Sequence, residues 1–244
     1  MIHLTVYKFL SGVFRHPLFT PLMIYILLFF PDPYSAQNSF TSASEAVLPF
    51  SAVDELFQIF VFYIPALALV LYFCFRYTQD LSFEKSCFSG YKDIFTSRLK
   101  FTACTILCAF CLLLIGGLMV ILENHLSKTE GFPTTLLPVM ETPGSVFAIS
   151  VMAASCIIAA YLEESFFRVL LYRRLLAAGQ QKAPAIFTAS LLFAACHAWQ
   201  GIWGMSGAFM SGIFLAFLFE RQKSLNLIAL SHALYNILVY LLPG

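Results

Sequence analysis

The chain has 244 residues, 60% of them hydrophobic and 11% charged, with a mean hydropathy of +0.82. A soluble domain is about a quarter charged, so an ordinary water-soluble globule is excluded and membrane lipids are the first expected partner. A formal net charge of +1 and a pI of about 7.6 give no reason to expect a nucleic-acid partner.

A membrane-crossing helix needs about 20 predominantly apolar residues. Counting such stretches predicts an all-α, polytopic bundle of about seven spans: residues 18–30, 56–75, 101–122, 146–172, 184–203, 207–219 and 225–242. The first and sixth are the shortest. Residues 31–36 make a poor small-residue cleavage site, so the first span, preceded by Lys8 and Arg15, reads as a retained anchor and not as a signal peptide. Residues 31–55 hold Asp32, Glu45, Asp54 and Glu55 but no Lys or Arg, and read as an outer loop. Residues 76–100 are of mixed charge, contain Gly90, and read as a connector on the other side with an amphipathic turn at the surface.

Threading the spans alternately through a bilayer gathers Lys8, Arg15, Arg76, Lys85, Lys92, Arg98, Lys100, Arg168, Arg173, Arg174, Lys182, Arg221 and Lys223 on or toward one side. Lys128 falls on the other. By the positive-inside rule the first side is cytoplasmic, the N-terminus is inside and the C-terminus outside, in what is expected to be a bacterial cytoplasmic membrane. No internal repeat is visible. Residues 1–145, with about three helices and their loops, and residues 146–244, with about four, are expected to form one continuous membrane domain. Cys74, Cys104, Cys108, Cys111, Cys156 and Cys196 lie in or at the ends of apolar runs and read as packing residues.

Ionisable groups inside spans are costly and mark functional sites by default. The fourth span carries Glu163, Glu164 and Arg168, the fifth His197, and the seventh His232 with the amide Asn236. At a rise of about 1.5 Å per residue, Glu163 lies roughly 15 Å from Arg173, His197 roughly 22 Å from Lys182, and His232 and Asn236 roughly 14 and 20 Å from Lys223. Three separate segments thus carry polar groups into a hydrocarbon core about 30 Å thick. Glu164 and Arg168 are four apart with the acid first, a favourable pair on one face. Glu163 is turned about 100° away, has no basic partner on its own helix, and must find one elsewhere; His197 is the expected candidate. His232 and Asn236 are four apart and share a face, and Phe193 lies one turn before His197, placed to cover the site.

The order EExxxR (Glu163, Glu164, Arg168), FxxxH (Phe193, His197) and HxxxN (His232, Asn236) resembles the three motifs of the CPBP (CAAX protease and bacteriocin-processing, Abi) family, which includes the type II CAAX prenyl endopeptidases. The resemblance covers about residues 146–242 and departs at Val169, where many relatives have Gly. It implies an intramembrane glutamic endopeptidase in which Glu163 and His197 activate water and His232 and Asn236 hold the oxyanion of the tetrahedral intermediate. Glu164, Arg168 and Phe193 are then supporting residues.

No cofactor is expected on this reading. The nearest rival is a zinc protease using Glu163, His197 and His232 as a two-His, one-carboxylate set, although no HExxH is present. A proton-coupled transporter would also bury Glu and His, but lacks support from any repeat. A non-enzymatic bacteriocin immunity protein is a further alternative, against which all motif residues are present. Prenylated CAAX proteins, peptide precursors and sorting-signal tails all fit as substrates.

Overall fold

The computed structural model describes residues 16–29, 50–78, 94–130 and 142–241. His3, Lys8, Arg15, Lys85, Cys87 and Lys92, with most of the two predicted loops around them, lie outside the described residues, as does the side chain of Lys128.

Among the described residues all regular structure is helical. The first helix, α1, is Phe19–Leu28. Helix α2 runs through Ala52–Gln58, a π-helical turn at Ile59–Tyr63, and Ile64–Thr78. Helix α3 is Ile94–Glu130, and α4 comprises Val146–Glu164, a π-helical segment Ser165–Leu171, and Tyr172–Ala177. Then follow α5 (Lys182–Ala195), a short 3-10 turn (Ala198–Gln200), α6 (Gly201–Gln222) and α7 (Leu225–Leu241). Serine hydroxyls start two of these: Ser51 Oγ accepts from the Asp54 N–H at 3.3 Å and Ser145 Oγ from the Ala148 N–H at 3.1 Å, each satisfying a donor that a helix end leaves free.

Helices α2, α3, α4 and α6 are long and apolar enough to cross a membrane, whereas α1, α5 and α7 are shorter apolar helices. The sixth helix is therefore longer than its sequence suggests, at 22 residues, and the fifth shorter, at 14. The cause is a break in the α-helix at residues 197–200, where a single apolar run to Trp203 was expected. Gly201 closes the break at φ 73°, a left-handed conformation that a side chain would disfavour, and Trp203 belongs to α6.

The outside of the bundle is apolar: Leu27 is 72% exposed, Phe60 66% and Ile121 66%. Such a surface is stable only against lipid. The inside is organised around α4, whose π-helical segment is buried over its whole length from Ser165 to Leu171. Helix α4 packs against α2 and α7, its π segment against α1 and α5, while α6 packs on α5 and α3, and α3 on α7. One hydrophobic core joins Tyr25, Val70 and Leu112 to Phe166, Phe193, Leu215 and Ile228, so the helices before and after residue 145 share an interior.

Polar ties gather the helix ends at the basic end of the bundle. Arg174 Nε donates to the Pro17 carbonyl at 2.8 Å and its guanidinium lies 4.1 Å from the Tyr77 ring centroid. The Glu220 carboxylate accepts from Tyr172 Oη at 3.0 Å and pairs with Lys182 and Lys223. Arg168, by contrast, is no anchor at all, being fully buried.

Small residues at 204, 208 and 212 suggest close helix packing, and Gly212 provides it. A Cβ there would stand 3.2 Å from Phe193 Cδ1 and 3.2 Å from Ser190 Cβ on α5. Gly212→Val is expected to force α6 from α5 and destabilise the protein by about 1–3 kcal/mol, an overpacking cost. A lowered unfolding midpoint in detergent, with Gly207→Val milder, is the check.

Candidate active site

The site is built outward from the end of the first, α-helical part of α4. There the helix passes into its π segment, in which N–H groups bond five residues back, as Tyr172 N–H does to the Phe167 carbonyl. The Ser165 carbonyl is met by Cys74 Sγ from α2 at 3.6 Å. This makes the cysteine more than filler, since it closes a polar group in a buried helix.

Glu164 and Arg168 meet as their spacing predicts, with Arg168 Nε 3.1 Å from Glu164 Oε2 and both side chains 0% exposed. Charge and proximity hold the pair, since neither of these two atoms completes an aligned hydrogen bond. The guanidinium also lies 4.7 Å from the Phe193 ring centroid and 5.8 Å from that of Phe167, a cation–π arrangement worth more when desolvated.

From α7, His232 reaches the other oxygen, its Nδ1 3.0 Å from Glu164 Oε1. A carboxylate paired with an arginine can only accept, so Nδ1 carries the proton. The second ring nitrogen, Nε2, stands 3.9 Å from Glu163 Oε2. Arg168, Glu164, His232 and Glu163 thus form a continuous chain of charge across α4 and α7. Glu163 differs from Glu164 in being 25% exposed, yet its Oε2 is buried and has no hydrogen-bond partner among the described residues.

His197 stands in the break after α5. Its Nδ1 is 2.9 Å from the Phe193 carbonyl, and because a carbonyl only accepts, Nδ1 is the donor and Nε2 of the neutral ring keeps its lone pair. Non-helical backbone at membrane depth is tolerated where protein buries it or where it lines a cavity. The expected direct contact between Glu163 and His197 is not made: with its Nδ1 held on the Phe193 carbonyl, His197 forms no ion pair or hydrogen bond with the carboxylate.

Phe193 lies between the two imidazoles, its ring centroid 4.7 Å from that of His197 and 6.0 Å from that of His232. It is 2% exposed and belongs to an aromatic column, packing edge-on to Phe167 at 5.2 Å, while Phe166 and Phe167 pack on Phe29 at 4.6 and 5.1 Å. Asn236, one turn after His232 on α7, is half-buried.

The sequence did not reveal the aromatic column or the π segment. The run Phe166–Phe167 beside the acidic pair was the available signal for the first. No three His, Cys, Asp or Glu side chains among the described residues converge as metal ligands would, and this holds for Glu163, His197 and His232.

Residues 145–238, which contain Glu163, Glu164, Arg168, Phe193, His197, His232 and Asn236, match the family model described as type II CAAX prenyl endopeptidase, Rce1-like. No curated protein and no solved structure matches the chain closely enough to add to this.

Proposed function

We propose, from the match of residues 145–238 to the Rce1-like family model, that the chain cleaves peptide bonds with a water activated by Glu163 and His197. The observation that carries this is the Glu163 Oε2 atom, buried, 3.9 Å from His232 Nε2, and without a hydrogen bond among the described residues. A buried carboxylate oxygen that accepts no hydrogen bond costs free energy that folding alone has no reason to spend.

In this reading Glu163 takes a proton from water, and His197 Nε2, whose lone pair is left free by the bond at Nδ1, shares that proton and passes it to the leaving amine. A carbonyl oxygen that becomes an oxyanion needs donors, which the Asn236 amide and His232 Nε2 supply. For Nε2 to donate while Nδ1 remains on Glu164, His232 must be an imidazolium, a cation flanked by the carboxylates of Glu163 and Glu164. Arg168 and Phe193 position Glu164 and the two rings without touching the substrate.

A lipid-anchored peptide with a prenylated CAAX-type tail is the first substrate class to try, by analogy with the family's described activity. The positive charge at one end of the bundle supports a cytoplasmic position for that end.

The mechanism predicts that Glu163 and His197 act as one unit. His197→Ala and Glu163→Gln are each expected to slow cleavage of a farnesylated CAAX peptide in liposomes by about 10²-fold or more, and the double variant to be no worse than either single one. Multiplying losses would separate the two residues. Treatment with 1,10-phenanthroline is expected to leave the rate unchanged, and inhibition reversed by Zn²⁺ would favour the metal reading instead.

A further inference from the structure

Two neighbouring carbonyls at the end of α5 decide how His197 is held. In a regular α-helix the Phe193 carbonyl would accept from the His197 N–H, four residues on. Here that N–H turns to the Ala194 carbonyl at 2.9 Å, and His197 Nδ1 takes the Phe193 carbonyl at 2.9 Å in its place. One residue earlier, the Leu192 carbonyl keeps only a stretched bond from the Cys196 N–H, at 3.4 Å, with Cys196 Sγ at 3.3 Å. A helix that ends inside a bundle needs donors for such groups from elsewhere.

The donor comes from α1. Tyr25 Oη donates to the Leu192 carbonyl at 3.1 Å, the shortest of the three bonds described for that carbonyl. The Tyr25 side chain is buried and its aim is fixed by two rings: its centroid lies 6.4 Å from that of Phe166, stacked, and 6.3 Å from that of Phe167, edge-on. Phe167 in turn packs on Phe193, and Phe193 on the imidazole of His197. The foot of α1 is tied separately, by Thr20 Oγ1 and Tyr77 Oη, 2.7 Å apart, and by the Pro17 carbonyl on Arg174. Tyr25 therefore reaches His197 by two routes, through the aromatic column and through the last turn of α5, although α1 lies outside the matched residues 145–238.

We propose that Tyr25 is a positioning residue for His197: its hydroxyl holds the Leu192 carbonyl so that α5 ends where it does, which leaves the Phe193 carbonyl to His197 Nδ1 and keeps Nε2 free of its proton. Without the hydroxyl, Leu192 falls back on its backbone donor and the α-helix runs one residue further. The His197 N–H then takes the Phe193 carbonyl, and the imidazole loses the bond that selects its tautomer. Tyr25 acts through that imidazole and not on the substrate. The inference deepens the hydrolase reading and rests on His197 Nε2 as the base that shares the proton with Glu163.

Tyr25→Phe keeps the ring and removes only the donor. In the full chain, carrying isotopically labelled histidine and reconstituted in liposomes, magic-angle-spinning nitrogen NMR separates a protonated ring nitrogen from a bare one, and the His197 signals are those lost in His197→Ala. Wild type is expected to show the single tautomer with the proton on Nδ1, and Tyr25→Phe a mixture of both. Cleavage of the farnesylated peptide is expected to fall about tenfold in kcat with KM unchanged, as a displaced catalytic group would cause. In a His197→Ala background Tyr25→Phe should add nothing. Thr20→Val, which loosens α1 without touching Leu192, should keep the wild-type tautomer and rate. A wild-type tautomer in Tyr25→Phe, the same mixture in Thr20→Val, or a further loss in the His197→Ala background would overturn the positioning role. A mixture at undiminished kcat would leave that role standing and remove His197 from the chemistry, so the two failures are distinguishable.

Discussion

Glu163→Gln is expected to slow peptide cleavage by about 10²–10⁴-fold, the usual worth of a positioned general base. The amide has the shape of the carboxylate but cannot accept the proton of water. Loss of a structural role would look different, because Glu163 Oε2 makes no hydrogen bond among the described residues whose removal could loosen the fold. The variant is therefore expected to unfold at the wild-type temperature in detergent while losing turnover of the farnesylated reporter in liposomes. A rate within a few-fold of wild type would remove Glu163 from the chemistry.

The largest loss of stability is expected one turn further on. Arg168→Ala should destabilise the protein by about 3–5 kcal/mol, the cost of breaking a buried pair from one side. Glu164 would be left fully buried with its arginine gone, and the rings of Phe167 and Phe193 would face a cavity. Much of that cost is the penalty on the abandoned partner, so the double variant Glu164→Gln, Arg168→Met should be more stable than Arg168→Ala. Arg168→Lys should not rescue, because an ammonium lacks the flat guanidinium that stacks on Phe193. Unfolding in mixed micelles measures all three. A loss below about 1 kcal/mol in Arg168→Ala would show that the pair does not hold α4.

How far the sequence could be read follows from what each signal encodes. Hydropathy locates apolar segments, and it found the helices. It is blind to a turn whose polar residues, His197 and Gln200, are outweighed by apolar neighbours, so the break at residues 197–200 was merged into a longer span and Trp203 assigned to the wrong helix. Spacing within one helix is also legible, and the pair Glu164–Arg168 formed as its four-residue interval dictates. Contacts between helices are not encoded in spacing. The nitrogen that approaches Glu163 belongs to His232, while His197 holds its own backbone. Glu55 was assigned to a loop because it ends an acidic stretch without Lys or Arg, and only its bond to Ser155 ties it to α4.

The π-helical segment of α4 has one more consequence. In an unbroken α-helix, Arg174, eleven residues after Glu163, would share its azimuth to within about 20°. A single wide turn inserts the equivalent of one extra residue and shifts the phase of all that follows by about 100°. The upper half of the rod can therefore present its acid to α7, while the lower half points its guanidinium at α1 and α2. One continuous rod is thereby aimed in two directions.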